Sequence, residues 1–372
     1  MSEKVSDGRA PPDWWPHRGA SGFVDAGGLR WHVQRFGAHD PGRSALSDRG
    51  GVTLAPVALL LHGTGAGNHS WRNLAPRLAD RFDVVAPDLP GHAFTTTPTA
   101  QSLALPGVAS ALAALLETLR LRPALVIGHS AGAAIALRMA LDGLIAPDLI
   151  VSINGAILPL QGPVGRWFMP IARVMAANPL VPPAFAAWSS LPFVARRLLD
   201  STGSRIDAPG ERCYAHLVRD PVHVAGALRL MASWDLPALE PDLPRVRTPL
   251  LLISGERDRT LPPSHGARVA KRIPGARGVL LPYLGHLAHE EDPQAVLEAT
   301  LRALDGGRSA APGSGPSDAA TSAATNAATS AAPSAATSAA PDAATSASAN
   351  AGPPAGSKRP ASRRGTGTAR SG

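Results

Sequence analysis

Residues 124–143 read ALVIGHSAGAAIALRMALDG, and this stretch decides the fold. An uninterrupted apolar run, ALVI, meets a glycine-bracketed turn, Gly128-His129-Ser130-Ala131-Gly132, and then an apolar pattern of helical period. Strand, tight turn and helix in that order are the context in which G-x-S-x-G presents a serine hydroxyl at the end of a sheet. The amino end of the following helix favours negative charge beside that hydroxyl.

Outward from this unit, further short apolar runs lie at 29–37, 57–63, 82–88, 148–155, 249–256 and 278–285. They are near-continuously hydrophobic, as parallel strands covered on both faces are. Helical patterns separate them: WRNLAPRLADR, LPGVASALAALLETLR, SHGARVAKRI and DPQAVLEATLRAL. The alternation predicts an α/β fold with a doubly wound, mostly parallel sheet. Residues 29–37 precede the alternation and are expected to form an antiparallel edge. Residues 157–248 carry no convincing strand and read as an inserted helical cap, placed where open α/β sheets bind ligands. The expected organisation is an N-terminal extension (1–20), a core (21–156 and 249–305), the cap (157–248) and a tail (306–372).

The tail contains no Val, Ile, Leu, Met, Phe, Trp or Tyr, repeats Ala, Ser, Thr and Pro, and ends in SKRPASRRGTGTAR. Such a segment cannot offset its ordering entropy, so disorder is expected. Its basic end is a weak candidate for contact with acidic lipid. The net charge of +8 owes much to that tail; before it stand 30 basic and 26 acidic residues, a balance that gives no nucleic-acid footprint. One cysteine, Cys213, excludes a disulfide framework and Cys-based metal sites. No apolar run is long enough for a membrane span and no secretory signal opens the chain, so a cytoplasmic location is expected.

A serine hydroxyl needs a base to take its proton, and chain order in this architecture is nucleophile, acid, histidine. Asp258, just past the strand PLLLISG, is the expected acid, with Glu256 as its rival. His286, in LGHLAHEEDP, is the expected base, with His289 as its rival. A developing oxyanion needs backbone donors: Ala131 N–H is one, and Thr64 N–H, in HGTGAG (62–67), is preferred to Gly63 for the other. His62 and His129 read as structural hydrogen-bonding residues. Gly63-x-Gly65 fails as a dinucleotide fingerprint because position 68 is Asn68. No cofactor or metal site is read. The cap's Trp167, Phe168, Trp188 and Trp234 are candidates for lining a pocket for a hydrophobic small molecule.

HGTG, DLPGH (88–92), GHSAG, the acid after PLLLISG and the LGHLAHEEDP histidine together resemble the α/β-hydrolase fold over about residues 20–305. WPHRGASGFVDAGGLRWHVQRFG, HGTGAGNHSWRNLAP, APDLPGHAFT and GHSAGAAIALRMALDG further resemble the magnesium-chelatase accessory proteins (BchO type) of bacteriochlorophyll synthesis in phototrophic bacteria. The segment at 38–56 and the long tail depart from that family's compact pattern. The resemblance implies a role in assisting magnesium insertion into protoporphyrin IX. It implies a tetrapyrrole as possible ligand and chelatase subunits as possible partners. The residues themselves point to a serine hydrolase acting on an ester-like substrate; the alternative is a non-catalytic tetrapyrrole-binding helper.

Overall fold

The computed structural model describes residues 9–37, 55–98, 100–159, 162–191 and 193–309. The tail from 310 onward, and with it the expected disorder and basic end, lies outside the described residues, as does most of the 38–56 segment.

Eight strands form one sheet: β1 (Ser21–Ala26), β2 (Leu29–Phe36), β3 (Val57–Leu61), β4 (Asp83–Pro87), β5 (Pro123–His129), β6 (Leu149–Ile153), β7 (Leu250–Gly255) and β8 (Arg277–Leu281). Their order is β1-β2-β4-β3-β5-β6-β7-β8. The β1–β2 and β2–β4 pairs are antiparallel and the others parallel. Residues 29–37 therefore do not form the edge: β1 lies outside them. Its sequence, SGFVDA, lacks an apolar run, but the two-residue turn that follows carries the signal. Gly27 (φ 57°) and Gly28 (φ 76°) occupy the left-handed region that a tight hairpin requires between Ala26 and Leu29.

The helices are α1 (Ala75–Leu78), α2 (Leu105–Thr118), α3 (Ala131–Leu141), α4 (Gly162–Ala177), α5 (Val181–Trp188), α6 (Val194–Ser201), α7 (Ala208–Leu217), α8 (Pro221–Ala232), α9 (Leu236–Leu239), α10 (Pro263–Ala270), α11 (Ala288–Glu291) and α12 (Pro293–Ser309). The pattern WRNLAPRLADR yields only the short α1, preceded by a 3-10 turn over Asn68–Trp71. Pro76 in its first turn has no N–H to extend a helix backwards.

Strand side chains alternate between two cores. Leu59, Leu61, Val126, Ile150 and Leu252 pack with α2 and α3 residues such as Leu112 and Ile135. Leu60, Ile127, Val151, Leu251 and Ile253 pack on the other face with Trp71, Leu74, Val296 and Ala299. Burying both faces explains why these strands read as continuous apolar runs. Each fully buried leucine contributes about 2 kcal/mol.

Helices α4–α9 fall between β6 and β7, and their contacts place them over the carboxyl ends of the strands. His223 of α8 meets the loops after β3 and β4. The Thr202 carbonyl accepts from Arg259 N–H, after β7, and from His286 N–H, after β8. No described helix is long and apolar enough to cross a membrane.

Candidate active site

Ser130 stands at the junction of β5 and α3 with φ 50° and ψ −113°, a conformation side chains adopt rarely. Such strain costs about 1–3 kcal/mol and persists only where its surroundings enforce it. The enforcement is visible. Ser130 N–H donates to Ile153 O (3.0 Å), and Ala156 N–H donates to Ser130 O (2.9 Å), so both sides of the peptide are tied to the end of β6. A methyl at Gly132 would collide with the Leu61 carbonyl, and one at Gly128 would lie 2.5 Å from Ala133 N. The two motif glycines thus let α3 cross directly over β3 and β5. The Ser130 side chain makes no cap bond to its own helix and is partly exposed.

The imidazole paired with a carboxylate is that of His286, whose Nδ1 lies 2.7 Å from Asp258 Oδ2. Asp258 Oδ1 accepts the N–H groups of Thr260 (2.7 Å) and Leu261 (2.8 Å), so both carboxylate oxygens are held. Donation of Nδ1–H to Asp258 leaves Nε2 as the acceptor. Glu256 is engaged elsewhere, accepting Tyr283 N–H (3.0 Å) at the surface. His289 is buried against Trp71 and the ring of His129, and burial depresses its pKa well below the ordinary histidine value.

No hydrogen bond joins the Ser130 hydroxyl to His286 among the described residues. The two are brought to the same edge through their neighbours. His129 Nε2–H donates to His286 O (2.9 Å), and the two rings lie 4.8 Å apart. Asn154, at the end of β6 with φ 44°, completes the arrangement. Its amide donates to Gly285 O (3.0 Å) and His286 O (2.8 Å), while its Oδ1 accepts Gly255 N–H (2.8 Å). One side chain therefore ties the ends of β6 and β7 to the loop carrying His286. Sequence reasoning missed it; the available signal was Asn154-Gly155 closing a buried strand.

The loop after β3 lies against the nucleophile turn: a Cβ at Gly63 would sit 2.8 Å from His129 Nδ1 and 3.0 Å from the Ser130 Cβ. Neither Thr64 N–H nor Ala131 N–H donates to another described residue. His62 braces this loop. Its Nδ1–H donates to Gly63 O (2.8 Å) and its Nε2 accepts Leu89 N–H (2.8 Å), so the ring is neutral, in line with a pKa lowered by burial. From the opposite side His223 accepts Ala93 N–H at Nδ1 (2.9 Å) and donates from Nε2 to Gly65 O (3.2 Å).

A second buried network links the helical segment to the His286 loop. Glu290 accepts from the Tyr214 hydroxyl (2.8 Å) and from Arg72, which also binds Asp207. Burial pushes the Glu290 carboxyl up to about 7 against the pull of Arg72. Among the described residues no cluster of His, Cys, Asp and Glu could hold a metal ion.

Of the pocket candidates, Trp188 is half exposed, on the outer side of α5, and Trp234 is buried in one apolar cluster with Leu236 and Leu239. Neither position follows from aromatic content, which does not say which side of a helix faces inward. The side chains of Trp167 and Phe168 lie outside the described residues.

Residues 58–299 match the model of the alpha/beta hydrolase family. The chain is 38% identical over 300 residues to the magnesium-chelatase 30 kDa subunit of Rhodobacter capsulatus, covering 81% of this chain and 100% of that protein. It is 27% identical over 241 residues to the hydrolase YugF of Bacillus subtilis, covering 64% and 86%. A thermophilic esterase from Thermogutta terrifontis shares the fold, with a TM-score of 0.59 at 21% identity over 77% of this chain and 98% of that one. On the family match and the extent of the 38% identity, the chain belongs to the alpha/beta hydrolase family, among the relatives of the 30 kDa magnesium-chelatase subunit.

Proposed function

We propose that this protein is a serine hydrolase acting on an apolar, ester-like substrate. The observation that carries the reading is the His286–Asp258 pair at 2.7 Å, tied through His129 and Asn154 to the sheet edge that presents the strained Ser130. In this reading Ser130 Oγ attacks the substrate carbonyl carbon as its proton passes to His286 Nε2. Asp258 holds the resulting imidazolium. The oxyanion takes hydrogen bonds from Thr64 and Ala131 N–H, an arrangement worth roughly 10²–10³ in rate per donor. Collapse expels the alcohol, protonated by His286, and leaves Ser130 acylated. Water, deprotonated by His286, then attacks the acyl carbon, releasing the acid and restoring the serine. A serine at this turn argues against dehalogenase or epoxide-hydrolase chemistry, which would want a carboxylate nucleophile there.

Hydrolysis of p-nitrophenyl esters of increasing chain length tests this. Turnover by the wild type that falls at least about a thousandfold in Ser130→Ala supports it. Folded wild type without turnover on any chain length opposes it.

The printed name of the Rhodobacter capsulatus relative supports a second reading, in which the protein assists magnesium insertion into a tetrapyrrole beside chelatase subunits without using the serine. A strain lacking that relative separates the two. If Ser130→Ala restores pigment as well as wild type, the role is non-catalytic; if only wild type does, hydrolysis is the contribution to the pathway.

A further inference from the structure

The outer side of helices α4 to α6 is apolar and cationic at once. Val174 and Leu180 are each 72% exposed, and Ile171, Trp188, Leu191 and Phe193 are also uncovered. Helices α4 and α5 both pack on α8, so they share one floor and turn their opposite sides outward. Ala172 of α4 and Pro182 and Ala186 of α5 are on the buried side. Isolated exposed apolar residues are ordinary, but here six large ones fall within 23 consecutive positions.

Basic charge predominates on this segment, although α6 also carries one exposed acid, Asp200. Between Asp148 and Asp200 there is no Asp or Glu, while Arg173, Arg196 and Arg197 are exposed. Arg173 donates from Nε to Ala232 O (3.4 Å), and none of the three forms an ion pair with a described carboxylate. Exposed Trp and Phe among three exposed arginines and a single acid match the chemistry of an anionic bilayer surface: aromatic rings enter the headgroup boundary and guanidinium groups meet phosphates.

We infer that the outer face of α4–α6 is a membrane-docking surface that rests on anionic lipid. It places the helical segment covering the strand ends at the bilayer, so that an apolar substrate reaches the site from the lipid phase. The docking itself stands independently of the chemistry at Ser130.

Co-sedimentation of the full chain with phosphatidylcholine vesicles, with and without roughly one-third phosphatidylglycerol, tests the inference. Binding is expected only to the anionic vesicles and is expected to weaken at high salt. Arg196→Gln/Arg197→Gln should lower it about twenty-five-fold, at about five-fold per arginine. Trp188→Ser/Phe193→Ser should abolish most of it without moving the unfolding midpoint, since both rings are exposed. Replacing Lys358, Arg359, Arg363 and Arg364 with Gln should leave it within about two-fold. Absence of binding to anionic vesicles overturns the inference, as does loss only in the tail variant. So does a dimer, seen by analytical ultracentrifugation, that Trp188→Ser/Phe193→Ser splits.

Discussion

Acidification should unfold this protein at a pH where most alpha/beta folds persist. Seven histidines are fully buried; His32 is held 2.7 Å from Asp88, and the other six are His62, His69, His92, His129, His223 and His289. Burial lowers the pKa of each of these six, that of His92 to about 3. For His62 and His223 the hydrogen bonds give the same answer, since each accepts a backbone N–H that a protonated ring would repel. With folded values below the unfolded value near 6.5, the stability is present above that pH and is lost as pH falls through it. Between about pH 7.5 and about 5.5, protonation of the unfolded chain costs up to roughly 1.4 kcal/mol of stability for each ring that stays neutral when folded, an upper bound of about 8 kcal/mol for six. Glu290 works in the other direction. Its folded value of about 7 means the native state gains a proton over this interval, returning about 2 kcal/mol. The net loss, up to about 6 kcal/mol, is comparable with the whole stability of a domain. Urea unfolding followed by circular dichroism across this range measures it directly. The slope at the acid end should correspond to uptake of roughly four to five protons on unfolding. A change below about 1 kcal/mol would refute the reasoning, because the buried rings would then have to titrate like free ones.

Three further outcomes are expected. Gly132→Ala should cost at least about 3 kcal/mol in urea unfolding, because its methyl meets the Leu61 carbonyl rather than a side chain that can move; wild-type stability would contradict the packing of α3 on β3. Asn154→Ala should lower stability by about 2–4 kcal/mol by stripping partners from Gly285, His286 and Gly255. It should also cut kcat on a p-nitrophenyl ester more than it raises KM; an unchanged kcat would show that Asn154 does not position His286. His223→Leu should cost about 2–3 kcal/mol by leaving Ala93 N–H and Gly65 O unpaired, with His223→Gln recovering part of that in a thermal melt.

What could be read from the chain divides along physical lines. The turn at Ser130 and the positions of Asp258 and His286 were legible because each follows a buried strand and sits in a turn whose residues are dictated locally. The choice of Asp258 over Glu256 was legible only as a preference, and the 2.7 Å contact with His286 separates their surroundings. Asn154 and His223 act through partners more than 100 positions away, so no local pattern announces them. The same holds for Arg72 and Glu290, and Tyr214 reaches Glu290 across 76 positions. The surroundings of Trp188 and Trp234 were not legible, because a helix rich in apolar residues on several sides does not declare which side meets the body. β1 was missed because a two-stranded antiparallel edge needs no apolar run; the paired glycines at 27 and 28 were its signature.

The central claim is that the hydroxyl at 130 is made nucleophilic by the imidazole at 286. Intact-mass analysis after treatment with a fluorophosphonate tests it without knowledge of the substrate. The account predicts one adduct per chain, on the peptide containing Ser130, absent in Ser130→Ala and slowed at least about a hundredfold in His286→Ala. Folded wild type that takes up no adduct, or His286→Ala labelled as fast as wild type, would contradict it.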